Sequence, residues 1–96
     1  MSEIDNNIIF FDVDCLVFPL RQRRLAAGDK MQLLGMKGRK KKVSDIFKDL
    51  GVAVGLRQKS WLLVDANDNI LWLLGYRTSE VGKVTDKTKQ VLRLSL

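Results

Sequence analysis

Two apolar runs, WLLVD at 61–65 and ILWLL at 70–74, are separated by Ala66, Asn67, Asp68 and Asn69. Extended apolar runs on either side of a short Asn/Asp-rich linker predict a β-hairpin. Both runs are apolar almost throughout, so the hairpin must belong to a sheet covered on both faces. Trp61 and Trp72 fall inside the runs, and the basic residues of the chain are not interleaved with them. They are therefore read as core or rim residues rather than as a platform for stacking bases.

A second strong signal is Val43, Ile46, Phe47 and Leu50, spaced i, i+3, i+4 and i+7 as one stripe of an amphipathic helix. Ser44 or the residue before it is expected to cap its start, Asp45 lies in the first turn where a carboxylate complements the helix dipole, and Gly51 can end it in a left-handed conformation. Elsewhere the pattern is extended. The segment 8–20 (IIFFDVDCLVFPL) reads as a hairpin turning at Asp12 to Asp14, with a metal or acid/base pair of those two carboxylates as the alternative. The run 20–25 continues a strand begun near Leu16, with Pro19 at a sheet edge or bulge. Residues 31–36 (MQLLGM) form a short apolar anchor, 52–60 a connector with room for one helical turn, and 75–77 a turn. After a turn or helical stub at 85–87, the last residues alternate Val91, Arg93, Ser95 with Leu92, Leu94, Leu96 and close the sheet.

Ninety-six residues hold one domain. The expected fold is α+β and mostly β, a small sheet or barrel-like sandwich with one or two short helices, over residues 8–96 behind a polar linker at 1–7. Cys15 is the only cysteine, cannot form an internal disulfide, and reads as a small buried hydrophobe in a reducing compartment. No stretch has the length of a membrane span and the start lacks a signal-peptide pattern, so the expected location is cytoplasmic.

Charge is concentrated. The chain carries 17 Lys plus Arg against 11 Asp plus Glu, yet residues 21–42 hold nine of the cations and one acid, Asp29, a local excess of +8 that leaves −2 for the rest. The nine are Arg21, Arg23, Arg24, Lys30, Lys37, Arg39, Lys40, Lys41 and Lys42, and the last six flank Gly28, Gly35 and Gly38 in what reads as a basic loop running into the helix. A field of this kind suits a polyanion, with nucleic acid ahead of an anionic membrane because no helix sets a basic face against Trp or Phe. The competing reading is a solvated charged loop on a protein-interaction or dimerisation module that pairs through an exposed strand edge.

Catalytic patterns are weak. The chain has no histidine, no standard metal-ligand spacing, and no partner to activate Cys15. The glycine-rich basic stretch matches neither GxxxxGK[ST] nor GxGxxG. The chain alone is not expected to be an enzyme, and no cofactor is expected in it.

Four segments taken together, FFDVDCLVFPLRQRRLAAGDK, LLGMKGRKKKVSDIFKDL, WLLVDANDNILWLLGYRTSE and VTDKTKQVLRLSL, resemble the C-terminal domain of bacterial tRNA(Ile)-lysidine synthetases. The resemblance departs from the family's usual GDxxxPxGM stretch at Met31, Gln32, Leu33 and Leu34, and lacks its proline after the helix at 52–55. It implies a module similar to one in the phenylalanyl-tRNA synthetase β subunit, and a parent ligase that uses ATP and Mg in a separate catalytic domain to join lysine to the wobble cytidine of tRNA(Ile). It implies further that this domain contacts the acceptor stem and body of tRNA(Ile), and it admits a homodimer formed through the parent enzyme. Lys37, Arg39, Lys40, Lys41, Lys42 and Arg77 carry over as RNA contacts, with Arg21, Arg23, Arg24 and Lys30 as supporting cations.

Overall fold

The computed structural model describes residues 7–96. In chain order the elements are β1 (Ile8–Asp12), a 3-10 turn (Val13–Cys15), β2 (Arg21–Arg24), β3 (Lys30–Gln32), β4 (Lys40–Lys42), α1 (Val43–Asp49), α2 (Val54–Arg57), β5 (Trp61–Val64), β6 (Ile70–Leu73), β7 (Arg77–Thr78) and β8 (Val91–Ser95). The strands form a central antiparallel sheet ordered β2-β5-β6-β7 and two antiparallel pairs, β1-β8 and β3-β4. The α+β, mostly β expectation holds.

The hairpin at 61–74 is the middle layer, because its strands are apolar on both sides. Leu62 and Val64 of β5, with Ile70 and Leu73 of β6, pack into one cluster with Met31, Val43, Ile46 and Phe47. Leu63, Leu71 and Trp72 pack into a second with Ile9, Phe11 and Leu16. The register passes from Leu63↔Trp72 to Val64↔Ile70, so Leu71 is the extra residue of a β-bulge. That bulge lets Leu71 and Trp72 face the same cluster. Asp65, buried at the turn, accepts from the N–H of Asn67 (2.9 Å) and Asn69 (2.8 Å) and from Asn69 Nδ2 (3.1 Å), which is the chemistry that made the linker legible.

Helix α1 presents its stripe as expected, with Val43, Ile46 and Phe47 buried and Leu50 packed beside them. Phe47 meets Tyr76 edge-on, centroids 5.4 Å apart at 86°. Gly51, at φ 72°, ends the helix, its N–H donating to the Lys48 carbonyl. Its start differs from expectation. Helix α1 begins at Val43, and the N-cap position is Lys42, which offers no side-chain hydrogen bond, so Ser44 lies inside the first turn. The connector contains the anticipated helical turn as α2.

Three other expectations are corrected. The segment 8–20 is not a hairpin: β1 pairs with β8 at the far end of the sequence, Phe11 opposite Leu92. Asp12 does form the turn, capping the 3-10 segment through a bond from Asp14 N–H (3.0 Å), but its carboxylate also accepts from Thr88 Oγ1 (3.0 Å), which docks the turn on the 82–90 segment rather than folding β1 back. The final strand therefore closes a separate two-stranded ribbon, with Leu92 and Leu94 half-buried and Val91, Arg93 and Ser95 exposed. Cys15 is exposed, not buried. Desolvation at the turn and then the Asp12 carboxylate push its thiol above the ordinary range, away from a reactive thiolate.

Strand β2 is an edge strand, as Pro19 suggested, though it begins only at Arg21. Of the linker expected at 1–7, residues 1–6 lie outside the described residues, and the carbonyl of Asn7 accepts from Leu96 N–H at 2.8 Å. Among the described residues no helix is long and apolar enough to cross a membrane.

Candidate nucleic-acid interface

Lys40, Lys41 and Lys42 do not lie in a loop. They form β4, paired with β3 so that Lys30 opposes Lys42, Met31 opposes Lys41 and Gln32 opposes Lys40. Directly opposed residues of an antiparallel pair share a face, and successive residues alternate. Buried Met31 marks the inner face, so Lys41 is directed with it toward α1, where its ammonium pairs with Asp49. Lys30, Lys40, Lys42 and Gln32 are left together on the outer face. Like charges placed directly opposite destabilise a sheet, and Lys30 against Lys42 is such a pair. Among the described residues no carboxylate forms an ion pair with Lys30, Lys37, Arg39, Lys40 or Lys42.

Between the two strands, the chain makes two tight turns, closed by Met36 N–H to the Leu33 carbonyl (3.1 Å) and Arg39 N–H to the Met36 carbonyl (3.1 Å). In the second, both central residues have positive φ, Lys37 at 54° and Gly38 at 84°, the arrangement that favours Asn-Gly. Lys37 therefore occupies a position where a lysine is strained. Lys37→Asn is expected to stabilise the domain by about 0.5–1 kcal/mol, read as a raised urea midpoint at unchanged slope. The base of the loop is fixed to β7 and to Glu80: Leu34 N–H donates to the Thr78 carbonyl (3.1 Å), Glu80 N–H to the Gln32 carbonyl (2.7 Å), and Gly35 N–H to Glu80 Oε1 (2.9 Å). These bonds bring exposed Arg77 into the neighbourhood of the loop; its own guanidinium donates to the Tyr76 carbonyl at 3.0 Å.

Arg23 is placed differently from the other cations. Its guanidinium grips Asp29 with two parallel bonds of 2.9 Å and reaches Asp68 through Nε at 2.9 Å, leaving its side chain 18% exposed. Arg21 adds a bond of 3.0 Å to the same Asp68. Burial acts to raise the Asp29 carboxyl, but Arg23 and the Ala26 N–H outweigh it and hold the group below the usual carboxylate range. The Asp29 carbonyl also accepts from Val43 N–H at 2.9 Å, one of the amide groups that have no partner within the helix at the start of α1. Arg23 thus joins the 26–29 turn, the hairpin loop and the helix start into one support beside the lysine face. Sequence reasoning missed this clamp, because Asp68 lies far along the chain and nothing local marks it as a partner.

Arg24 alternates to the opposite face of β2 and lies 3.7 Å from the centroid of the Trp61 ring, with a bond to the Lys59 carbonyl. Trp61 is a rim residue and Trp72 a core one, in line with the sequence. The anticipated cations accordingly fall into three groups: an outward set of Lys30, Lys37, Arg39, Lys40 and Lys42 with Arg77 nearby, the Arg21–Arg23 clamp, and Lys41 and Arg24 held elsewhere by Asp49 and Trp61.

Comparison with known proteins gives consistent results. A family model described as the TilS substrate C-terminal domain matches residues 20–96. The chain is 39% identical over 90 residues to the tRNA(Ile)-lysidine synthase of Parabacteroides distasonis, covering 94% of this chain and 20% of that protein. Against the tRNA(Ile)-lysidine synthase of Shouchella clausii it is 42% identical over 73 residues, 76% of this chain and 15% of that one. It spans a fifth or less of the length of these relatives. Among solved structures, a crystal structure of a TilS C-terminal domain matches with a TM-score of 0.79 over 100% of this chain and 75% of the other; at 24% identity this bears on the fold alone. An N-terminal fragment of the phenylalanyl-tRNA synthetase β subunit from Pyrococcus horikoshii matches with a TM-score of 0.73 at 28% identity, covering 90% of this chain and 26% of that chain.

Proposed function

We propose, from the premise that this chain belongs to the TilS substrate C-terminal domain family, that it is the tRNA-holding part of a tRNA(Ile)-lysidine synthase and contacts the sugar-phosphate backbone of the acceptor stem and body. The observation that carries this reading is the outer face of β3-β4, where Lys30 opposes Lys42 and Lys40 stands beside Gln32 with no carboxylate among the described residues in ion-pair contact with them. A polyanion would relieve that repulsion and occupy the face.

The chemistry follows from the shape of the target. An A-form stem hides its major-groove edges and offers phosphates and 2′-hydroxyls across a wide minor groove, so a rigid basic ribbon engages it through shape and charge. Lys40 and Lys42 are two residues apart on one strand, about 7 Å, so each meets a different phosphate. Lys37, Arg39 and Arg77 extend the charged surface along the loop. Arg23 is outside the contact set, because its charge is matched by Asp29 and Asp68; its part is to hold the support in place. In this reading the parent enzyme joins lysine to the wobble cytidine of tRNA(Ile) in a separate catalytic domain that takes ATP and Mg, in the cytoplasm. This domain supplies binding and register.

Titration of tRNA(Ile) with the domain at several salt concentrations tests the reading. Engagement of at least three phosphates by the outer lysines, with Lys37, Arg39 and Arg77 adding to them, gives a slope of log K against log salt of about −3 or steeper. A slope near zero, or a salt-resistant dimer of the domain indifferent to tRNA, would instead mean that the lysine face is solvated and the domain works by protein contact.

A further inference from the structure

Within the lysine face one residue is neutral. Gln32 is half-buried on the outer side of β3, directly opposite Lys40 and two residues from Lys30. Its backbone carbonyl is already engaged by Glu80 N–H at 2.7 Å, which fixes the strand locally. Its carboxamide makes no hydrogen bond with any described residue. It lines a cleft together with Lys30, Lys40, Asp68 and Asn69. The only carboxylate among the described residues that line the cleft, Asp68, is bonded to both Arg21 and Arg23, so these residues leave the cleft the positive charge of its two lysines.

We propose that Gln32 is a specificity-determining residue that binds the ribose 2′-hydroxyl of an A-form stem while Lys30 and Lys40 hold the flanking phosphates. This rests on the reading of the lysine face as an RNA-backbone contact and names what that face distinguishes. Lysines recognise phosphate in any nucleic acid, whereas a carboxamide both donates and accepts and so matches a hydroxyl, which is donor and acceptor at once. Its partial burial restricts the side chain before the ligand arrives, and the lysines on either side supply attraction without competing for the hydroxyl.

The test compares two duplexes of one sequence, all-ribose and 2′-fluoro, which share the A form but differ in the hydroxyl donor. Each is titrated with the unaltered chain, with Gln32→Leu, and with Lys40→Ala. The unaltered chain is expected to prefer the ribose duplex about five- to tenfold, the size of one hydrogen bond to a neutral group. Gln32→Leu should bring that ratio close to one at an unchanged salt slope, whereas Gln32→Glu, whose carboxylate still accepts from the hydroxyl, should keep the preference for ribose while weakening both duplexes. Lys40→Ala should flatten the slope and keep the ratio. A ratio near one in the unaltered chain, or a ratio that survives Gln32→Leu, overturns the assignment and leaves phosphate contact standing. Loss of salt-dependent binding to both duplexes in the unaltered chain would overturn the underlying reading as well.

Discussion

Replacing Lys30, Lys40 and Lys42 together with alanine is expected to lower the affinity of the domain for tRNA about a hundredfold at about 0.1 M salt, and to flatten its salt slope by about 3. The same substitution at Lys41 alone should change the slope by well under one, because that ammonium faces α1 and Asp49 rather than the outer side of the ribbon. Fluorescence anisotropy across a salt series measures both. Equal effects from Lys41 and from any one outer lysine would sink the claim that the strand sorts its lysines between two faces.

The triple substitution should not destabilise the domain. It removes the repulsion of Lys30 by Lys42 across the ladder. It also removes a cation from the N-cap of α1, at the positive end of the helix. Lys42→Asp should go further and stabilise by about 1 kcal/mol, since an aspartate there caps the amide groups that Lys42 leaves without a side-chain partner. A domain that becomes firmer while binding worse is the behaviour of a site whose residues are kept at a cost to the fold. Thermal melts alongside the titrations separate this from trivial unfolding.

Arg23→Ala carries the largest expected stability loss outside the apolar core, about 3 kcal/mol. It leaves Asp29, whose side chain is 11% exposed, without its two-pronged partner, and it releases Asp68 from β2. Arg23→Lys should recover only a small part, because an ammonium cannot make the paired bonds to Asp29 and the third to Asp68 together. The acid response provides an independent readout. The Asp29 carboxyl is depressed in the folded state, so its contribution is complete above the ordinary carboxylate range and is lost as pH falls through the lower folded value. Unaltered protein should therefore lose stability below about pH 4, and Arg23→Ala should show a shallower decline over the same window. Urea midpoints measured from neutral to acid pH check both statements. If the two proteins decline in parallel, Arg23 is not what holds Asp29 ionised.

Much of the fold was legible in short stretches. Val43, Ile46, Phe47 and Leu50 stated a helix through spacing alone, and their burial against Met31 and Leu62 agrees with it. The apolar runs around Ala66–Asn69 stated both a hairpin and its position between two layers, and Asp65 supplies the turn bonds. The charge excess at 21–42 stated where positive charge is concentrated. In each case the deciding interactions lie within a few residues of one another, so the local sequence contains them.

Strand partners were another matter. Nothing in the extended run 8–12 distinguishes the neighbour it was expected to turn into from β8, some eighty residues away. That choice is settled by which pairing buries Ile9, Phe11, Leu92 and Leu94 against the second face of the hairpin. The same holds within the site. Four consecutive cations, Arg39 to Lys42, read as one loop in the sequence, but pairing with β3 gives them a two-residue period, sending Lys41 inward with Met31 and the neighbouring lysines outward. Composition and spacing determined that this protein has a helix, a two-sided hairpin and a concentrated positive charge. Only the tertiary structure decided which of those charges are matched from within, because a side chain's partner depends on how the elements pack: Asp68 reaches Arg23 from 45 residues along the chain, and Asp49 reaches Lys41 because α1 folds back against β4.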